Sequence, residues 1–232
     1  MSTAGLLPRR WRTGPDDAHD AEALAGVLET APIRPNAGGP AIAARIGTLQ
    51  VLPFLVAVKS LHRRIGRGRV VILDDGTLAG PDRTILAHHC GDPEILPRGA
   101  VPLGGFPPGR GWEPWLAAYD RRRGEYWLLL DPLAVATAPV PQVEQALGAN
   151  RSLVAGAALA GLAAGGPGRP DAQALREAAG GQLAAPSAAL ELLMAREAGP
   201  TLLDEAVGVA CYGPRGARAH AAACRAAIAE MD

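Results

Sequence analysis

Between residues 45 and 131, short apolar runs take turns with stretches of helical periodicity, and this limits the fold more than any other feature of the chain. The clearest run is Val70-Val-Ile-Leu73, closed by Asp74-Asp75-Gly76. An unbroken β-branched run of this kind describes a strand covered on both faces, as in a parallel sheet. Ahead of it, Val51, Leu55, Val58, Leu61 (or His62) and Ile65 recur at helical spacing. Pro53 falls in the first turn and Gly66 and Gly68 follow the last, so a helix over 51–65 is expected. The reading continues with a short strand at Arg45–Gln50, a helix from Pro81 and Asp82 to about His89, and a strand at Glu94–Leu96. A helix from Trp112 to Arg122 and a strand at Tyr126–Leu130, closed by Asp131-Pro132, complete it. Strands alternating with helices over short connections predict an α/β fold, with a largely parallel central sheet flanked by helices.

The flanks read differently. Residues 1–40 carry Pro8, Pro15, Pro32, Pro35 and Pro40 and are expected to form an extended N-terminal arm, with room for a helix at Asp16–Thr30. The α/β core is expected over 41–152. After Pro141 the chain turns Ala-rich and helical, and 153–232 is expected to be a helical C-terminal portion packing on the core.

Composition removes several function classes. Lys+Arg and Asp+Glu are both 23, and a chain without basic excess is not built mainly to hold nucleic acid. Lys59 is the only lysine, a skew toward Arg that reads as coding bias. Cys90, Cys211 and Cys224 are widely spaced, with no zinc-ligand pattern, which suits buried thiols in a reducing compartment. The longest apolar run, Leu153–Ala164, falls short of the ~20 residues that cross a bilayer. No apolar segment follows Arg9, Arg10 and Arg12 as in a secretory signal. The expectation is a soluble, cytoplasmic protein with no membrane span.

In an open parallel sheet, ligands sit beyond the carboxyl ends of the strands. Two strands end in carboxylates there: Asp74-Asp75-Gly76 and Asp131. Such groups can accept hydrogen bonds from a nucleoside or help hold a divalent cation on a diphosphate, while Gly76 lets the chain turn tightly. Asp-Asp-Gly is equally an ordinary turn and helix lead-in, and residue types alone leave both open. A phosphatase of the haloacid dehalogenase type, suggested by Asp75-Gly76-Thr77-Leu78, fails because Leu73 occupies the nucleophile position. His88 and His89 read as cations at a helix end, Trp112, Trp115 and Trp127 as core bulk, and Arg121-Arg-Arg123 as a solvated helix end.

The ordered set Val58-Lys-Ser-Leu61, Gly66-Arg-Gly-Arg-Val-Val-Ile-Leu-Asp-Asp-Gly-Thr-Leu78, Asp82-Arg83 and His89-Cys-Gly91 resembles a group of bacterial glycosyltransferase-like proteins. The similarity spans about residues 45–152, with a fainter echo at Gly208–Pro214. It implies the A-type glycosyltransferase fold, with a nucleotide-diphosphate sugar bound near Asp74, Asp75 and Gly76. It also implies a D-x-D metal motif at the end of the Tyr126 strand. Here that motif keeps Asp131 but has Leu133 in place of the second carboxylate, so binding of Mg²⁺ or Mn²⁺ is expected to be weak. The family pattern continues into a segment for the acceptor and base that this chain is expected to lack or shorten. The resemblance thus implies a sugar-nucleotide binder with weak or absent transfer. The alternative is a non-catalytic remnant acting as a partner-binding subunit.

Overall fold

The computed structural model describes residues 23–36, 38–108, 111–121, 123–155, 162–166, 173, 177, 201–203, 208–212 and 217–231. A seven-stranded sheet organises them. Its first four strands are β1 (Ala41–Ile46), β2 (Arg69–Asp74), β3 (Glu94–Leu96) and β4 (Trp127–Leu130). A short β5 (Ala134–Ala136) leaves the sheet, and β6 (Leu153–Ala155), β7 (Leu162–Gly165) and β8 (Thr201–Leu203) extend it. The order is β3-β2-β1-β4-β7-β6-β8, and β5 pairs separately with β9 (Val209–Cys211). Strands β1 to β4 are mutually parallel and β7 alone runs against its neighbours, so the expected largely parallel α/β sheet is present.

Strand parity separates two cores. Ile42, Ala44, Ile46, Ile72 and Leu128 face helix α1 (Val51–Ile65), while Ala41, Ala43, Val71, Trp127 and Leu129 face the opposite layer. Along α1 only a few residues of the last turns escape burial, because it lies between the sheet on one side and α2 (Gly80–Cys90), β5 and the C-terminal helix on the others. Its stop is built as the sequence indicates: Gly66 adopts φ 71° and donates its N–H to His62 O at 2.7 Å. Helix α3 (Trp112–Arg121) covers the second core. Helices α4 (Pro141–Gly148) and α5 (Ala217–Ala229) follow, the latter giving the expected C-terminal helix. Among the described residues no helix is long and apolar enough to cross a membrane.

Three expectations are corrected. Strand β1 spans 41–46 and ends where a strand at 45–50 was to begin; Thr48–Gln50 is a 3-10 turn leading into α1. Ala41-Ile-Ala-Ala44 carries weak strand propensity of its own, and burial on both faces overrides it. Leu153–Ala155, Leu162–Gly165 and Thr201–Leu203 are strands inside a stretch read as helical, each paired into the sheet. His89 is not a charged cap at its helix end. It is buried, and its Nδ1 lies 3.0 Å from the Lys59 ammonium, which makes the ring an acceptor. Burial, then the charge of Lys59, pushes its pKa down to about 4.

Of the expected helix at 16–30, residues 16–22 lie outside the described residues; 23–25 are helical and Gly26–Glu29 form a 3-10 turn. The segment that follows is tied to the core. Ile33 N donates to His89 O at 2.9 Å, and Asn36 bridges to Gly66 and Gly68. Cys90 and Cys224 are buried free thiols, as anticipated; the side chain of Cys211 lies outside the described residues.

Candidate functional site

The carboxyl ends of β1 to β4 lie along one edge of the sheet, and the loops leaving them form the candidate site. At the end of β2, Asp74 is buried. Its Oδ1 accepts the Gly76 N–H at 2.7 Å and the Leu78 N–H at 3.3 Å, and its Oδ2 is ion-paired with Arg83. Gly76, at φ 99°, makes the turn that closes this arrangement. Asp75 Oδ1 accepts from Thr77 N at 2.9 Å and Thr77 Oγ1 at 2.7 Å. Thr77 Oγ1 in turn accepts the Thr48 N–H at 3.0 Å, which locks the β2 loop onto the β1 loop. Asp82, fully buried, accepts the Ala79 N–H at 2.9 Å and lies 2.7 Å from Thr48 Oγ1. At the end of β4, Asp131 Oδ1 accepts the Leu133 N–H at 2.7 Å.

Gly47 fits this lattice closely. A Cβ there would sit 2.3 Å from Asp75 Oδ2 and 2.4 Å from Thr77 Oγ1. Gly47→Ala is therefore expected to push the 75–77 turn off the Thr48 amide, costing about 1–2 kcal/mol and speeding amide exchange at Thr48. Urea denaturation with hydrogen exchange checks this; unchanged exchange at Thr48 would refute it.

Among the described residues two cavities open at this edge. The smaller, about 140 Å³, lies over the ends of β2 and β3, and its walls include Arg45, Asp74, Arg98 and Glu113. The larger, about 330 Å³, lies between the ends of β1 and β4 and is walled by Arg45, Gln50, Trp115, Asp131 and Leu133 among others. Strand order turns back between β1 and β4: successive strands step one way from β1 to β3, and β4 joins on the other side. The larger cavity thus occupies the switch point of the sheet, where open α/β folds place their ligands.

The residues singled out from sequence are distributed unevenly. Asp74 borders the smaller cavity, but both its oxygens are engaged within the protein. Asp75 and Gly76 shape the loop without lining either cavity. Asp131 lines the larger one. Trp112 and Trp127 are core, as read, whereas Trp115 is half-buried on a cavity wall. Arg121 pairs with Glu94 at the amino ends of the strands, away from the site.

Sequence reasoning missed Arg45 and Arg98. Parity would have found the first: with β1 set at 41–46, Arg45 continues the row Ala41, Ala43 past the covered part of the sheet into the cleft.

The donor set does not fit a divalent cation. Such an ion takes about six oxygens, anchored by convergent carboxylates. Among the described residues Asp131 is the only carboxylate on the larger cavity, one of its oxygens is held by the Leu133 amide, and Arg45 brings a positive charge to the same wall. Among the described residues no three His, Cys, Asp or Glu side chains cluster as a metal site would require.

The chain matches no model of a known protein family and no curated protein.

Proposed function

We propose that this chain is a glycosyltransferase-like protein that binds a nucleotide-diphosphate sugar across the two cavities at the carboxyl edge of its sheet. One observation carries the reading: the larger cavity lies at the switch point between β1 and β4 and joins, through Arg45, a second cavity over β2 and β3. An elongated ligand with an anionic middle suits that outline. The larger cavity combines a half-buried indole (Trp115), a carboxylate (Asp131), an amide (Gln50) and a guanidinium (Arg45), a set that can stack on a sugar ring and hydrogen-bond its hydroxyls. The smaller cavity is flatter in chemistry, with Leu73, Leu96, Pro97 and Val101 beside its charges, and suits a nucleoside. A mixed sheet with one reversed strand and a separate two-stranded ribbon is compatible with the A-type glycosyltransferase fold that the motifs imply.

Calorimetric titration with UDP, GDP and their sugars, with and without Mn²⁺, tests this. Saturable binding of at least one is expected, with Asp131→Ala weakening the sugar nucleotide by about tenfold and the free nucleotide less. Absence of heat at about 1 mM of every ligand would sink the proposal. Leu133, at the position of a second motif carboxylate, favours a second reading: a non-catalytic remnant that binds a protein partner. Sugar-nucleotide turnover abolished by Asp131→Ala would exclude it.

A further inference from the structure

Resting on that reading, we propose that Arg45 supplies the positive charge at the ligand's diphosphate and that the site binds its nucleotide without a metal ion.

Arg45 stands at the carboxyl end of β1, an inner strand, and among the described residues it is the one that walls both cavities. Where a base occupies one cavity and a sugar the other, the diphosphate between them falls at this residue. The side chain is exposed, and among the described residues it has no hydrogen bond or ion pair, so its five donors are available. Other arginines are used otherwise: Arg83 of α2 neutralises Asp74, and Arg69 of β2 binds Glu94 and Glu125 at the opposite edge. Arg98 adds a second guanidinium on the smaller cavity, also without a partner among the described residues. The remaining charges there are Asp74, already paired, and Glu113. A planar guanidinium matches two phosphate oxygens at once, which a diphosphate presents and a bare sugar does not. A dication beside Asp131 would have to share the larger cavity with that fixed positive group.

The test is calorimetry on the full chain with UDP, GDP, uridine, guanosine and inorganic pyrophosphate, each in EDTA and in Mn²⁺. Nucleoside diphosphate affinity is expected to agree within about twofold between the two buffers. Arg45→Ala should weaken diphosphates by about tenfold or more and leave uridine and guanosine unchanged, with Arg45→Lys recovering part of the loss. Because Arg45 is exposed and unpaired, the variants should unfold at the wild-type temperature. Nucleotide binding that needs Mn²⁺, or that is indifferent to Arg45→Ala, overturns the inference and leaves the sugar-nucleotide reading standing. Pyrophosphate binding that depends on Arg45, with no nucleotide bound better, overturns the sugar-nucleotide reading and keeps of the inference only Arg45 as a diphosphate contact. Silence from every ligand removes both. The EDTA comparison uses the unmodified chain, so it decides the metal question even where a variant fails to fold.

Discussion

Truncating Lys59 to alanine will lower the stability of the chain by about 2–4 kcal/mol and release residues 23–36 from the core. The side chain is buried, and its ammonium reaches Thr30 Oγ1 at 2.7 Å, His89 Nδ1 at 3.0 Å and Thr30 O at 3.2 Å. Alanine would leave a cavity and strand those acceptors. Lys59→Met keeps the volume but strands the same acceptors, so it should recover only the cavity part of the loss, about 1 kcal/mol. The pH profile separates these effects. Burial, opposed by Cys90, pushes the Lys59 ammonium down to about 8, against about 10.4 in an unfolded chain. Between those values the unfolded state holds more protons, so this group makes stability rise with pH. Cys90 works the other way: burial pushes its thiol up to about 12, so above about 8.5 the folded state holds the extra proton and stability falls. The Lys59 gain should therefore be clearest near pH 8 to 9 in the native chain, and Cys90→Ala should extend it toward pH 10. On the acid side, His89 takes its proton only near pH 4 when folded but near 6.5 when unfolded, so stability drops as pH falls through that window. Urea denaturation of the native chain and the three variants from pH 4 to 10 checks all of this. A Lys59→Met profile identical to that of the native chain would refute the assignment.

Lys59 also shows how much of the molecule was legible in the sequence. Its motif, Lys59-Ser-Leu61, was visible as part of a resemblance, but its work could not be read because the partners are distant in sequence. Lys59 holds the turn near residue 30, and Ser60 Oγ accepts the Ala136 N–H, 76 residues away. Asp82 and Arg83 likewise stand out as a dipeptide, yet one caps α2 and the other neutralises Asp74. Elements with strong local signals were read nearly to the residue: α1 from its stripe, Pro53 and Gly66, and β2 from its β-branched run. Where a strand is Ala-rich, as at the start of β1 and in β7, or is a three-residue piece within an Ala-rich stretch, as in β6 and β8, local preference is weak and sheet pairing decides, so these strands were hidden. The cost of misplacing β1 was specific. It put Arg45 at the start of a strand instead of at its end, and so hid that this residue walls both cavities.

Asp74 gives the sharpest contrast between a residue that builds this edge and residues that face a ligand. Asp74→Ala is expected to cost about 2–4 kcal/mol, because it orphans the Gly76 and Leu78 amides, the latter in a buried residue, and leaves Arg83 without its partner. Asp74→Asn retains Oδ1 for both amides but turns an NH2 donor toward the Arg83 guanidinium in place of the ion pair, so a smaller loss of about 1–2 kcal/mol is expected. Arg83 is partly exposed and can be solvated, so Arg83→Ala should cost less than Asp74→Ala. The double variant should fall short of the sum, as expected for groups in direct contact. Asp131→Ala, at a half-buried carboxylate with one amide partner, should cost under about 1 kcal/mol. Denaturation and ligand titration on the same samples then separate the roles. If Asp74 is a positioning residue, ligand affinity lost in Asp74→Ala returns in Asp74→Asn, since the loop is rebuilt without the charge. If Asp74 itself touches the ligand, Asp74→Asn stays weak while its stability recovers. An Asp74→Ala chain as stable as the native one would refute the structural role, because two backbone amides and a guanidinium would then have lost their acceptor at no cost.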